Sequence, residues 1–158
     1  MRVICPALLS GKYLPTKYAH RNVKGGQNIS PVVGWTDVPE GTQSFVLTVI
    51  DRHPVAKNWV HWYVINIPSS IREIPERASG VYHGMPDGCM ELRNSYGDNG
   101  YGGPFPPRGT GPHSYEFTVY ALNVPSLSLG PFATAHECSA AMHGHILGSA
   151  SATGTFEQ

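Results

Sequence analysis

Residues 94–122 read NSYGDNGYGGPFPPRGTGPHSYEFTVYAL, a glycine- and proline-rich loop that runs directly into a strand. From Ser114 to Leu122, Tyr115, Phe117, Val119 and Ala121 share one face, with Glu116 and Thr118 on the other. This period of two predicts a strand with an apolar side. His113 stands at its entrance on the apolar parity. Ahead of it, Gly102, Gly103, Gly109 and Gly111 permit close backbone approach, while Pro104, Pro106 and Pro107 restrict φ. A loop of this kind can present amide groups to an anion and apolar rings beside it.

The same alternation extends outward. In Gln43–Asp51, Phe45, Leu47 and Val49 fall on one face with Asp51, and Ser44, Val46, Thr48 and Ile50 on the other. A turn-like RHPVAKNW leads to a second predicted strand, Val60–Ile67, in which His61, Tyr63, Ile65 and Ile67 share a face. Paired antiparallel across the 52–60 loop, these strands bring Asp51 and His61 to one rim of a sheet, where His113 and Tyr115 can join them. A carboxylate, two imidazoles and a phenol would then form the polar floor of an apolar cleft, the general shape of a small-ligand site.

Thr134 with Glu137 three residues later is a capping-box pattern, and Cys138, Ala141, Met142 and Ile146 follow at helical spacing. The helix is expected to end at Gly148, and Ala152–Phe156 to form a last short strand. Ser69–Glu73 allows one helical turn before Pro75. The stretch from Tyr82 to Pro112 is longer than a compact domain keeps without a use.

A length of 158 residues fits a single domain, 1–158, able to bury its own core. With 18 Gly, 14 Pro and only 14% charged residues, the chain is turn-rich and favours a mainly β architecture. Lys+Arg and Asp+Glu are equal at 11 each, so no basic surface for nucleic acid is expected. No apolar run reaches membrane-spanning length, and Pro6 interrupts the one short apolar stretch at the N-terminus. A cytoplasmic location is the expectation. Cys5, Cys89 and Cys138 are an odd, widely spaced set, expected as three buried thiols rather than a disulfide framework or a metal knuckle. His136 and His143, seven residues apart on a helix, lie about 10.5 Å apart along its axis and cannot share one ion. Neither metal nor cofactor is expected.

The chain closely resembles the phosphatidylethanolamine-binding protein family, and within it the short prokaryotic Raf-kinase-inhibitor-like members. The matching stretches are GQNISPVVGW at 26–35, DVPEGTQSFVLTVID at 37–51, NWVHWYVINIP at 58–68, residues 94–122 as quoted, and the final helix with its GSASATGTF tail. The loop ending in His-x-Tyr is the most specific of them. The resemblance implies an antiparallel β-sandwich with one large sheet, a peripheral C-terminal helix and long Gly/Pro-rich loops. It also implies a pocket for anionic groups, lined by Asp51, His61, His113 and Tyr115 and walled by Trp59, Gly103, Phe105, Pro106 and Pro107. Two departures stand out. Asp51-Arg52-His53-Pro54 replaces the family's Asp-x-Asp-x-Pro, which removes the second acid, and Phe156 stands where many members have Tyr.

The function expected on these grounds is non-catalytic binding of a small anionic or phosphorylated ligand, of phosphate or phospholipid head-group type. His61 and His113 would act as donors, Tyr115 would add a hydroxyl, and Asp51 would fix an imidazole tautomer. The family resemblance adds a homodimer and, by analogy alone, a regulatory or inhibitory role towards a kinase or protease. The alternative is a small hydrolase using the Asp/His/Tyr cluster. No Gly-x-Ser-x-Gly elbow, His-Glu-x-x-His pair, P-loop or dinucleotide fingerprint supports that alternative.

Overall fold

A computed structural model describes residues 1–8 and 12–158. Among these residues, eight strands form two antiparallel sheets. The smaller has the order β1 (Arg2–Ile4), β2 (Val33–Thr36), β5 (Glu73–Ile74). The larger has the order β6 (Met90–Glu91), β4 (Trp59–Pro68), β3 (Ser44–Asp51), β7 (His113–Leu122), β8 (Ile146–Phe156). The result is the mainly β, two-sheet arrangement with one large sheet that the sequence implies.

The alternation in β3 and β7 sorts their side chains as read. Phe45, Leu47, Val49, Tyr115, Phe117, Val119 and Ala121 enter one core with Trp35 from the small sheet. Val46 and Leu122 face the opposite side, where α1 (Ala135–Met142) covers a second core with Cys138 and Met142. With both faces covered, β3 and β7 are buried along most of their length. Each fully buried large apolar side chain stabilises the fold by about 1.5–3 kcal/mol.

β4 departs from the predicted face. Tyr63 and Ile65 belong to the second core, whereas Trp62, Val64 and Ile67 belong to the first. Two register shifts against β3 are the cause. Val49 pairs with Trp62 but Ile50 pairs with Val60, which leaves His61 as an extra residue. Farther along, Phe45 pairs with Ile67 and Leu47 with Val64, and Asn66 in this second irregularity has φ 58°. Each extra residue re-aims the strand. His61 therefore sits on the first face through a bulge and not through the period of two.

α1 keeps its capping box, with Thr134 Oγ1 accepting from the Glu137 amide and Glu137 accepting in return from the Thr134 amide. It ends at Met142, earlier than expected, because Gly144 adopts φ 82° and leaves the helical path. Ile146 instead pairs with Leu122 and begins β8, which runs to Phe156 beside β7. The predicted short last strand is thus 11 residues long. Its Gly, Ser and Ala residues carry weak strand signals, and pairing with β7 overrides them. Ser69–Glu73 forms no helical turn: Ile71 donates to Pro68 O in a tight turn, and Glu73 joins β5 opposite β2. Cys5 and Cys138 are buried as expected, while Cys89 is only half-buried.

Candidate functional site

Asp51, at the end of β3, lies directly opposite Tyr115 on β7. His113 is two residues earlier on β7, and its Nδ1 is 2.6 Å from Asp51 Oδ2. Asp51 Oδ1 accepts the His53 amide at 2.9 Å. The other ring nitrogen of His113, Nε2, is 2.8 Å from Thr110 Oγ1. That hydroxyl also donates to Pro107 O at 2.6 Å, so His113 is clamped between β3 and the 107–110 turn. Both of its nitrogens are engaged within the protein.

His61 is held by different partners. Its Nδ1 lies 2.6 Å from Gly102 O, and its backbone carbonyl accepts the Gly102 amide at 2.8 Å. A carbonyl oxygen can only accept, so Nδ1 carries the proton. Burial lowers the imidazole from its usual 6.5 to about 4, against the opposing pull of the Gly102 carbonyl and Asp51, so the ring is neutral at physiological pH. With the proton on Nδ1, the other ring nitrogen, Nε2, carries none and can only accept. The expectation that His61 acts as a donor does not match this tautomer. The group that fixes its tautomer is Gly102, whereas Asp51 contacts His113.

Tyr115 meets the His61 ring edge-on, with centroids 5.0 Å apart. It is 1% exposed, and its hydroxyl lies near the Asp51 carboxylate without a partner at hydrogen-bond geometry. Burial, and then the nearby charge of Asp51, raise this phenol far above its usual 10, so it remains protonated.

These four side chains form the floor of a cavity of about 410 Å³, whose walls include Trp59, Phe105, Pro106, Pro107 and Val55. Trp59 and Phe105, each 39% exposed, stand at the mouth. Gly103 does not itself line the cavity but props its wall: its amide donates to Asn28 Oδ1 at 2.7 Å and its carbonyl accepts from Tyr96 Oη at 2.9 Å. A Cβ at Gly103 would sit 2.2 Å from the Tyr18 carbonyl oxygen, so the close approach requires glycine.

Five wall residues carry no site signal of their own in the sequence: Val55 and Ala56 from the turn after β3, and Tyr96, His20 and Asn22. Tyr96 closes one side, and His20 stacks between Tyr96 at 4.9 Å and Phe105 at 5.5 Å. Asn22 completes that side. Tyr96 lies within the matched stretch 94–122 and was open to inspection there. His20 has no periodic signal, because it reaches the wall through a loop whose amide donates to Pro104 O.

The missing second acid has no substitute at the floor. Arg52 turns away to Glu116 at 2.7 Å and Asn58 at 2.9 Å. His53 stacks face to face on His113 at 3.9 Å and is not among the cavity-lining residues. Among the described residues, no group of three or more His, Cys, Asp or Glu side chains is placed to hold a metal ion. No helix described is long and apolar enough to cross a membrane.

A two-sheet β fold with a largely apolar cavity at the strand ends, floored by a few polar groups, has the build of a small-ligand-binding protein. The family model for phosphatidylethanolamine-binding protein matches residues 6–157, and the chain belongs to that family. It is 37% identical to the UPF0098 protein YbhB of Escherichia coli over 158 residues, covering 99% of each chain. A UPF0098 protein of Aquifex aeolicus is 39% identical over 164 residues, covering all of this chain and 89% of that one. Among solved structures, E. coli YbcL, described as a new member of the mammalian PEBP family, superposes with a TM-score of 0.90 at 32% identity. That match covers 99% of this chain and 98% of YbcL. The Chlamydia trachomatis protein CT736 gives a TM-score of 0.81 at 31% identity, covering 99% of this chain and 97% of that one. Membership supports a ligand-binding protein in a family whose members are generally not catalysts.

Proposed function

We propose that the chain binds a small anionic or phosphorylated ligand in this cavity and does not transform it. The polar head meets His61 and Tyr115, with Asp51 and the His113 it holds beside them, and the remainder lies along Trp59, Phe105, Pro106 and Pro107. The observation that carries this reading is the Tyr115 hydroxyl, a donor with no protein partner at the floor of a mostly apolar cavity. A buried donor without a partner costs about 1–3 kcal/mol, and a ligand oxygen placed on it recovers that cost.

The hydrolase reading draws on one specific observation. Thr110, His113 and Asp51 stand in line as hydroxyl, imidazole and carboxylate, at 2.8 and 2.6 Å. Against it, the Thr110 proton is directed to Pro107 O, and Thr110 is not among the cavity-lining residues. Calorimetric titration with methyl phosphate, beside turnover assays on a panel of phosphoesters and peptides, separates the two. Saturable stoichiometric binding without product supports the binding protein; turnover lost in Thr110→Val would replace that reading.

Self-association is proposed on a separate observation. β8 is an edge strand of 11 residues without a charged side chain, and, among the described residues, those at 12–14 bond to its C-terminal end. An uncharged open edge is a template for strand pairing with a second copy. Sedimentation that shows only monomer at micromolar concentrations would overturn this.

A further inference from the structure

We infer that the cavity floor selects the singly protonated form of a phosphoryl group, its P–OH donating to His61 Nε2 while a second phosphoryl oxygen accepts from the Tyr115 hydroxyl; this rests on the ligand class proposed above. The argument begins with the groups still free to bond. His113 is engaged at both nitrogens, by Asp51 and Thr110. Tyr96 gives its proton to Gly103 O. At the floor this leaves, besides the spare lone pairs of Asp51, one acceptor, His61 Nε2, and one donor, the Tyr115 hydroxyl, on rings whose centroids are 5.0 Å apart; Asn22 and Trp59 belong to the walls. One tetrahedral head can reach both. A fully ionised phosphate monoester has no proton for His61 and would set an oxygen against its lone pair.

Charge points the same way. The cavity lining contains Asp51 and no Lys or Arg, so nothing there compensates a second negative charge on the ligand. Four cations stand one residue from a lining position: Arg52 is bound to Glu116, while Arg21, Lys57 and Arg108 are exposed and none of them lines the cavity. The titratable groups that face His61 and Tyr115 are Asp51 from β3, His113 from β7, and Tyr96 and Tyr101 from the 94–107 loop, with His20 in the wall and His53 behind His113. His61 itself remains neutral down to about pH 4 and so does not set a midpoint nearer neutrality.

The second ionisation of a phosphate monoester lies near 6. Selection of the monoanion therefore lowers apparent affinity by roughly 50-fold between pH 6 and 8, since only the competent fraction binds. The test uses the unmodified protein and titrates methyl phosphate, methylphosphonate and difluoromethylphosphonate across that range. The phosphonate ionises later than the phosphate, and fluorination makes it ionise earlier. The midpoint of the affinity profile should move with each ligand, and methyl sulfate and dimethyl phosphate, anions without a proton to donate, should bind at least about tenfold more weakly. A short-chain phosphatidic acid titrated in parallel tells a lipid head group from a soluble monoester by which binds more tightly, and its midpoint should follow its own ionisation. Tyr115→Phe should weaken every ligand without moving any midpoint. A midpoint common to all ligands, or equal binding of methyl sulfate, overturns the selection while the ligand class stands. No binding of any phosphoryl compound at any pH overturns the ligand class itself.

Discussion

Asp51 and His113 face each other diagonally across two antiparallel strands: Asp51 pairs in register with Tyr115, and His113, two residues earlier, brings Nδ1 to 2.6 Å from Asp51 Oδ2. Both side chains are almost wholly buried. The contact ties the end of β3 to the start of β7 beneath the cavity, and a buried carboxylate depends on every partner it has.

His113→Ala should therefore cost about 3–5 kcal/mol, because it leaves Asp51 with the His53 amide alone. Asp51→Asn keeps an acceptor for that amide and should cost about 1.5–3 kcal/mol. The double variant should fall short of the sum by roughly 1–3 kcal/mol. Urea melts of the four proteins measure this coupling, and strict additivity would show that the contact carries no stability.

Acid should weaken the fold through His61. In the unfolded chain this imidazole takes a proton near 6.5, whereas in the folded protein it does so only near 4. Between those values the unfolded state binds more protons, so stability falls as pH drops through the window, by up to roughly 3 kcal/mol from this residue. His61→Asn retains an N–H for Gly102 O and removes the titration, so its melts should show a shallower pH slope from 7 to 4. An unchanged slope would locate the acid sensitivity elsewhere.

Core and cavity wall should respond separately to truncation. Phe117 is fully buried, between Val49 on β3 and Ala152 on β8. Phe117→Ala should cost about 3–5 kcal/mol through the cavity it leaves. Phe105 stands at the mouth, 39% exposed, and Phe105→Ala should change stability by less than about 1 kcal/mol while weakening methyl phosphate binding. Denaturant melts and calorimetry on both variants provide the comparison. Easy unfolding of Phe105→Ala would make that ring a structural element of the loop.

Gly103→Ala should displace the wall. Its Cβ would meet the Tyr18 carbonyl oxygen at 2.2 Å and the Ala19 carbonyl carbon at 2.5 Å, both backbone atoms that cannot rotate aside. A stability loss of at least about 1–3 kcal/mol is expected, with altered Trp59 and Tyr96 fluorescence. At Gly109 a Cβ meets nothing within 4 Å, and φ is 79°. Gly109→Ala should cost only about 1 kcal/mol of backbone strain. Equal losses in the two variants would mean that close packing at Gly103 is not what demands glycine.

The period of two in β3 and β7 was sufficient to assign Phe45, Leu47, Val49, Phe117 and Val119 to one core and to put Asp51, His113 and Tyr115 at one rim, because neighbouring strands align side chains of like parity. In β4 the same reading failed for Tyr63 and Ile65. A bulge arises from how two strands register against each other, and no local pattern in NWVHWYVINIP announces the extra residue at His61. The protonation pattern at the floor was equally out of reach. Whether an imidazole presents a proton or a lone pair depends on what its other nitrogen touches. For His61 that partner is the carbonyl of Gly102, 41 residues away, and for His113 it is Asp51, 62 residues away. The residue types of the site could be named from the chain because alternation is local. Their roles as donor or acceptor arise from contacts between distant segments, which exist only once the loop at 94–107 has closed against β4.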